Sequence, residues 1–247
     1  MSPDRTRAVV RRVITQLRRD RRTLGMIFAV PPLLLWLVEA MFANSPGVFD
    51  RVGPLMLGLF PFILMFVVTS IAVLRERTQG TLDRLMASPI GRGDLLAGYA
   101  LAFSLVAAVQ AVLTLAVGLW LLDLPNRGGL GLTVALVIGQ ALLGVALGLF
   151  LSAFARNEFQ AVQFLPAVVL PQLLLAGIFV PVERLPRGLE VAARAMPLTY
   201  AFEAFDRVMR RGLGLDDGRV ALDVGIVLGA SLLLLAAGAG TLRRSEA

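Results

Sequence analysis

The chain has 247 residues, of which 57% are hydrophobic and 17% charged, with a formal net charge of +7. A soluble domain carries nearer a quarter charged residues, so composition places the chain in a membrane. Every basic residue is arginine, and His and Cys are absent; this excludes the usual zinc sites, an imidazole base, a thiol nucleophile, disulfides and the lysine of a phosphate-binding loop.

Residues 6–22 read as an amphipathic helix. Val9, Val10, Val13, Ile14 and Leu17 fall near one face, with Arg7, Arg11, Arg12, Arg18, Arg19, Arg21 and Arg22 around the rest. Two readings stay open: an interfacial helix that braces the spans, or a basic cluster that only sets orientation. Both put the N-terminus in the cytoplasm. The basic stretch is long and no small-residue cleavage pattern follows the apolar run, so the first span is expected to be retained.

Six runs reach the roughly twenty apolar residues a crossing helix needs. They cover residues 23–42, 53–74, 95–122, 130–155, 162–180 and 220–241. Pro31, Pro32, Pro54, Pro61, Pro166 and Pro171 fall inside or at the ends of these runs and predict kinks. Gly144 and Gly148 on the fourth run would let a neighbouring helix come close. Asp94 is expected to cap the third.

Orientation follows the arginines. Arg5–Arg22, Arg75, Arg77, Arg84, Arg92, Arg156, Arg243 and Arg244 fall on one side, giving six spans with both termini cytoplasmic. Residues 181–219 run against this pattern, because an external stretch there carries Arg184, Arg187, Arg194, Arg207, Arg210, Arg211 and Arg219. Within it, residues 185–195 and 198–211 look helical, with Pro186 at a start, Pro197 as a break and Gly212 as a stop. Tyr200, Phe202 and Phe205 alternate with Glu203, Asp206 and Arg207, which suits a re-entrant helix. Glu203 and Arg207, at i,i+4, are expected to pair.

The charged segment 75–94, wedged between two apolar runs, must sit in water. Gly80 permits a chain reversal, Thr81 can cap a short helix over residues 82–87 with Asp83 in its first turn, and Pro89 closes it. Such a helix would show Arg75, Glu76, Arg77, Asp83 and Arg84 to the cytoplasm. An ordinary solvated loop is the alternative.

Glu76-x-x-x-Gly80-Thr81-Leu82-x-x-Leu85, followed by Ser88-Pro89-Ile90, resembles the cytoplasmic signature of type-2 ABC exporter permeases. The run from Pro171 through Gly177, Phe179 and Pro181, with Leu185-Pro186 and Met196-Pro197-Leu198-Thr199-Tyr200-Ala201, resembles the second block of that family. Asn157-Glu158-Phe159-Gln160-Ala161 is similar to the drug-exporter branch, the daunorubicin-type resistance exporters. The resemblance covers nearly the whole chain.

The resemblance implies an all-α integral membrane protein of the plasma membrane, a single transmembrane domain over residues 1–247. Its six spans would be flanked by a connector helix at 6–22, a coupling helix in 75–94 and an external re-entrant hairpin in 181–219. It implies a second permease subunit, identical or not, and a separate cytoplasmic ATPase that carries ATP and Mg; this chain would hold no cofactor, metal or catalytic residue. Arg75, Glu76, Arg77 and Arg84 would make rim ion pairs with the ATPase, with Leu82, Leu85 and Met86 as apolar anchors and Gly80, Thr81 and Asp83 shaping the segment. Pro171, Gly177, Phe179, Pro181, Pro186, Pro197, Tyr200, Glu203 and Arg207 would belong to the external gate.

A pathway built mostly of Leu, Val, Ala and Phe suits lipophilic or amphipathic small-molecule substrates, and membrane lipids are expected to be further partners. Gln110, Gln140, Gln163 and Gln172 are either contacts on that pathway or links between helices. Glu39 and Asp223, near outer ends of spans, are read as hydrated interfacial acids rather than proton carriers. Rival readings are a lipid or glycan exporter, an ion-coupled carrier, and an intramembrane enzyme using Asp216 and Asp217. Nothing calls for a nucleic-acid partner.

Overall fold

A computed structural model describes residues 2–78 and 91–241. The first helix, α1 (Pro3–Arg19), starts with Pro3 in its first turn, where a missing N–H costs nothing, and ends on Arg18 and Arg19, which suit the negative end of the helix dipole. Val9 and Val13 are buried, with Val10, Ile14 and Leu17 packed beside them. Asp20 ends this helix and opens the next: its carboxylate accepts from the Thr23 amide at 3.1 Å and the Thr23 hydroxyl at 2.6 Å. Those two bonds, the hydroxyl's first, hold the Asp20 carboxyl below the usual carboxylate range.

The spans follow in order: α2 (Arg21–Met41), α3 (Pro46–Thr78), α4 (Arg92–Trp120) and α5 (Leu130–Ser152). The fifth span, α6 (Glu158–Leu175), contains a π turn at Leu165–Val169. Two short helices, α7 (Arg187–Arg194) and α8 (Pro197–Phe205), come before α9 (Gly218–Thr241); a π turn at Asp206–Arg210 extends α8. Among the described residues, six helices are long and apolar enough to cross a membrane, and the chain is a multi-pass, all-α membrane protein.

Several boundaries differ from hydropathy. With 33 residues, α3 starts at Pro46 rather than near residue 53 and is about 50 Å long, well beyond a hydrocarbon core of about 30 Å. It is therefore long enough to project beyond the hydrocarbon layer. The fifth span ends at Leu175, short of residue 180, because Gly177 takes a left-handed φ of +90° and turns the chain. The fourth stops at Ser152 instead of 155. Pro166 lies inside the π turn, where the amide of Leu170 reaches back to the carbonyl of Leu165. Asp94 caps α4 from its third helical position, with Gly91 at the N-cap: its carboxylate accepts from the amides of Gly91 at 3.3 Å and Ser2 at 2.7 Å.

The core of the bundle is the α3–α5 pair. A Cβ on Gly144 would lie 2.3 Å from the Phe62 carbonyl oxygen, and one on Gly148 2.6 Å from that of Phe66. Two glycines one turn apart thus let two backbones touch, as small residues do at membrane helix contacts. While α5 is buried along most of its length, α2, α6 and α9 are buried over less than a quarter of theirs and expose Leu33, Trp36, Leu170, Leu174, Leu232 and Leu233. Another glycine seats α1. A Cβ on Gly98 of α4 would meet the Val9 side chain at 2.5 Å, so the apolar face of α1 packs on the spans instead of floating as a bare basic cluster.

The alternation of spans brings α1, the end of α3, the starts of α4 and α6 and the end of α5 together at one end of the bundle. Gly238 of α9 lies beside Phe150 there as well. The opposite end holds α7, α8 and the start of α9.

Candidate functional site

At the α1 end, the last turns of α3 are held in three directions. Arg12 of α1 places Nη2 3.2 and 3.0 Å from the two carboxylate oxygens of Glu76, which is 6% exposed. Arg75 donates to Glu158 of α6 through Nε at 2.7 Å and Nη2 at 3.1 Å. Arg77 donates to the Ser152 carbonyl, one of the unfilled acceptors at the end of α5, at 2.6 Å. Asn157 caps α6 by accepting from the Gln160 amide at 2.9 Å, which sets Glu158 in the first turn facing Arg75. So Arg75, Glu76 and Arg77 are engaged within the chain and are not displayed as free charges. Glu76 in particular faces α1, with no rim exposure. The expectations for Gly80, Thr81, Leu82, Asp83, Arg84, Leu85 and Met86, and for a helix over residues 82–87, lie outside the described residues.

The opposite end carries a chain of charges. Arg194 of α7 bridges Glu183 at 3.3 Å and Glu203 of α8 at 2.6 Å. Glu203 also accepts from Arg207 at 2.8 Å, the i,i+4 pair expected from spacing, and Arg207 goes on to Asp223 of α9. Asp223 is 2% exposed. It is therefore no hydrated interfacial acid but the buried end of this network. Asp206 holds Arg210, and Arg211 at 2.7 Å. The α7–α8 turn is fastened by Thr199 Oγ1 donating to the Ala193 carbonyl and Tyr200 Oη donating to that of Arg194, both at 2.8 Å. Leu198, Phe202, Phe205 and Met209 are buried, and a Cβ on Gly58 of α3 would meet the Phe205 ring at 2.5 Å. The hairpin is thus seated in the bundle.

Of the other gate residues, Gly177 makes the turn after α6, Phe179 is exposed beside it, Pro181 precedes a 3-10 turn, and Pro186 and Pro197 start α7 and α8. Pro171 lies exposed in the last part of α6. Asp217 accepts from the amides of Arg219 at 2.9 Å and Val220 at 3.2 Å, so the Asp216–Asp217 turn opens α9. The four glutamines are spread over α4, α5 and α6. Gln163 is exposed; Gln110 and Gln140 are buried with both amide atoms unpartnered, so neither links helices; Gln172 donates to the Val168 carbonyl at 3.2 Å.

Sequence reasoning missed Arg12, Ser152 and Glu158 as partners of the α3 end. The Asn157–Ala161 motif was the available signal for Glu158.

A family model described as ABC-2 type transporter matches residues 4–209. The chain belongs to the ABC-2 type transporter family. It is 31% identical, over 67% of its length, to the probable multidrug ABC transporter permease YbhR of Escherichia coli, covering 45% of that protein. It is 25% identical, over 74% of its length, to the linearmycin resistance permease protein LnrN of Bacillus subtilis, covering 48% of it. It is also 29% identical, over 67% of its length, to ABC transporter G family member 20 of Dictyostelium discoideum, covering 23% of it. The matched part is less than half the length of each relative. The ABC-2 match takes in the whole α3-end clamp and the hairpin through Arg207; Asp223 lies past it.

Proposed function

We propose that this ABC-2 chain is the permease subunit of an ATP-driven exporter that moves lipophilic or amphipathic compounds out of the cell. A separate ABC ATPase would bind and hydrolyse ATP with Mg, and a second permease, identical or not, would complete the pathway. The reading places the α1 end in the cytoplasm, segment 79–90 against the ATPase, and the α7–α8 hairpin at the outer face as a re-entrant gate.

The observation that carries it is the three-way clamp on the end of α3. A displacement applied to the segment that follows reaches α1 through Glu76, α6 through Arg75 and α5 through Arg77, so the bundle moves as a body instead of bending at one loop. The substrate class is supported by two relatives, YbhR, a probable multidrug permease, and LnrN, a linearmycin resistance permease. The apolar spans agree with it, offering few fixed charges to grip a sugar or an ion.

Inside-out vesicles carrying the chain with an ABC ATPase should accumulate a lipophilic dye such as Hoechst 33342 when given ATP and Mg, and should continue to do so after the proton gradient is collapsed. Accumulation that needs the gradient and ignores ATP would identify an ion-coupled carrier and end this reading.

A further inference from the structure

One face of α4 is open along a span: Leu101, Leu105, Val109, Val112 and Leu113 are all exposed on it. Where this face meets α1 there is an open groove of about 600 Å³. Its polar residues, Ser2, Thr6 and Arg7, all come from α1, and its wall on α4 is Ala97, Leu101 and Leu105. Those three follow at one-turn steps, so the apolar wall runs about 12 Å along the helix. The groove is thus polar where α1 crosses and apolar along the span, which is the profile of a phospholipid.

Charge decides what kind. Asp4 is the one acid of α1, and among the described residues only Arg12 of its arginines has a carboxylate partner. Arg7 lines the groove, and Arg11 follows one turn on; both are exposed and make no ion pair among the described residues. Asp94, which adjoins the groove through Ser2, is occupied by the amides of Ser2 and Gly91. The polar end therefore carries positive charge without a counterion, and a guanidinium is matched best by a phosphate or carboxylate. A free anion would leave Leu101 and Leu105 bare, and a protein surface would have to displace the lipid that covers them. A lipid with a negative headgroup meets both ends of the groove at once.

We infer that this groove holds one anionic phospholipid of the leaflet in which α1 lies. Its phosphate sits on Arg7, and one acyl chain runs along Ala97, Leu101 and Leu105. A zwitterionic headgroup is disfavoured, because it brings its own ammonium to a place where Arg7 and Arg11 are already unbalanced. The bound lipid braces α1 on α4 beside the contact of Val9 with Gly98, while Arg12 ties α1 to Glu76 of α3. The inference goes beyond the exporter reading and does not rest on it: it needs only that α1 lies at a membrane surface.

The test is photolabelling of the full-length chain in phosphatidylcholine nanodiscs, without ATPase or ATP, by a trace of phosphatidylglycerol carrying a diazirine in its acyl chain. Labelling of the peptide containing Ala97–Leu105 is expected. It should fall severalfold when unlabelled phosphatidylglycerol replaces part of the phosphatidylcholine, and should not respond to glycerol 3-phosphate, an anion without acyl chains. Arg7→Gln combined with Arg11→Gln should lower the labelling severalfold, to the level given by a phosphatidylcholine probe. Arg184→Gln combined with Arg187→Gln, which removes two exposed arginines at the other end of the bundle, should leave it unchanged. Labelling that unlabelled phosphatidylglycerol does not reduce, or that survives the loss of Arg7 and Arg11, overturns the proposal and leaves these arginines to an acidic protein surface. Competition by glycerol 3-phosphate overturns it too, in favour of a soluble anion. Because no nucleotide is present, either failure is separate from a failure of ATP-driven export.

Discussion

Arg12 and Glu76 stand 64 positions apart and meet through both carboxylate oxygens of Glu76, whose side chain is 7% exposed. A buried ion pair is weak evidence of net stability, but breaking one side leaves a charge without a partner. This pair also joins two elements that local periodicity treats as unrelated. Its value is thus positional: it sets α1 against the end of α3.

Removing Glu76 should therefore be costly where removing Glu158 is not. Glu76→Ala is expected to destabilise the chain by about 1.5–3 kcal/mol, because the Arg12 it strands is one-third exposed. Glu158→Ala is expected to cost no more than about 1 kcal/mol, since its pair with Arg75 is half exposed on both sides. Denaturation in mixed micelles measures both. In the vesicle assay Glu76→Gln, still inserted in the membrane, should lose ATP-driven accumulation. Arg12→Glu combined with Glu76→Arg should recover part of it.

The glycines of α5 separate in the same way. Gly144→Ala puts a methyl group against the Phe62 carbonyl, a contact no rotamer relieves, and should cost about 1–3 kcal/mol by forcing α3 and α5 apart. Gly139 has nothing within 4 Å of a built Cβ. Gly139→Ala should then raise stability by about 0.5–1 kcal/mol through helix propensity alone. Equal melting temperatures for the two variants would show that the close approach is not where α5 is held.

At the hairpin end, Asp223→Ala removes one of the two acids that hold Arg207, which keeps Glu203, and should cost about 1.5–3 kcal/mol. Arg207→Met with Asp223→Leu removes both charges, while Glu203 keeps Arg194. That pair of changes should restore most of the loss, and a denaturation series across the three chains measures it. A double variant as unstable as the single one would mean that the network is needed for its charges rather than merely tolerated.

What could be read in advance was whatever repeats locally. The apolar face of α1, the Glu203–Arg207 pair and the close approach at Gly144 and Gly148 each follow from spacings of three or four residues. The partners of the α3 end do not: Glu158 lies 83 positions from Arg75, and Ser152 75 positions from Arg77. Nor do the arginines of α1 differ in sequence. Only the fit of Val9 against Gly98 selects Arg12 to reach Glu76. Hydropathy missed the end of α6 for a related reason, because Leu173–Val180 stays apolar through a turn that only the φ of Gly177 reveals. Asp223 looked hydrated because its partner Arg207 comes from a different helix.

The arginines of residues 181–219, which run against the usual charge bias, have a structural answer that orientation can test. Arg194, Arg207, Arg210 and Arg211 are each paired with an acid within the chain. Arg184, Arg187 and Arg219 make no ion pair among the described residues; around α1 seven arginines, Arg5, Arg7, Arg11, Arg18, Arg19, Arg21 and Arg22, make none, so unpaired positive charge is densest at the α1 end. That end should be cytoplasmic. With no native cysteine, a single introduced thiol reports its own side. Thr15→Cys and Arg156→Cys, both at exposed positions of the α1 end, should react with a membrane-impermeant maleimide only in inside-out vesicles. Arg187→Cys, exposed on α7, should react only in intact cells. The reverse pattern would put segment 79–90 outside, beyond reach of any ATPase, and the exporter reading would fail with it.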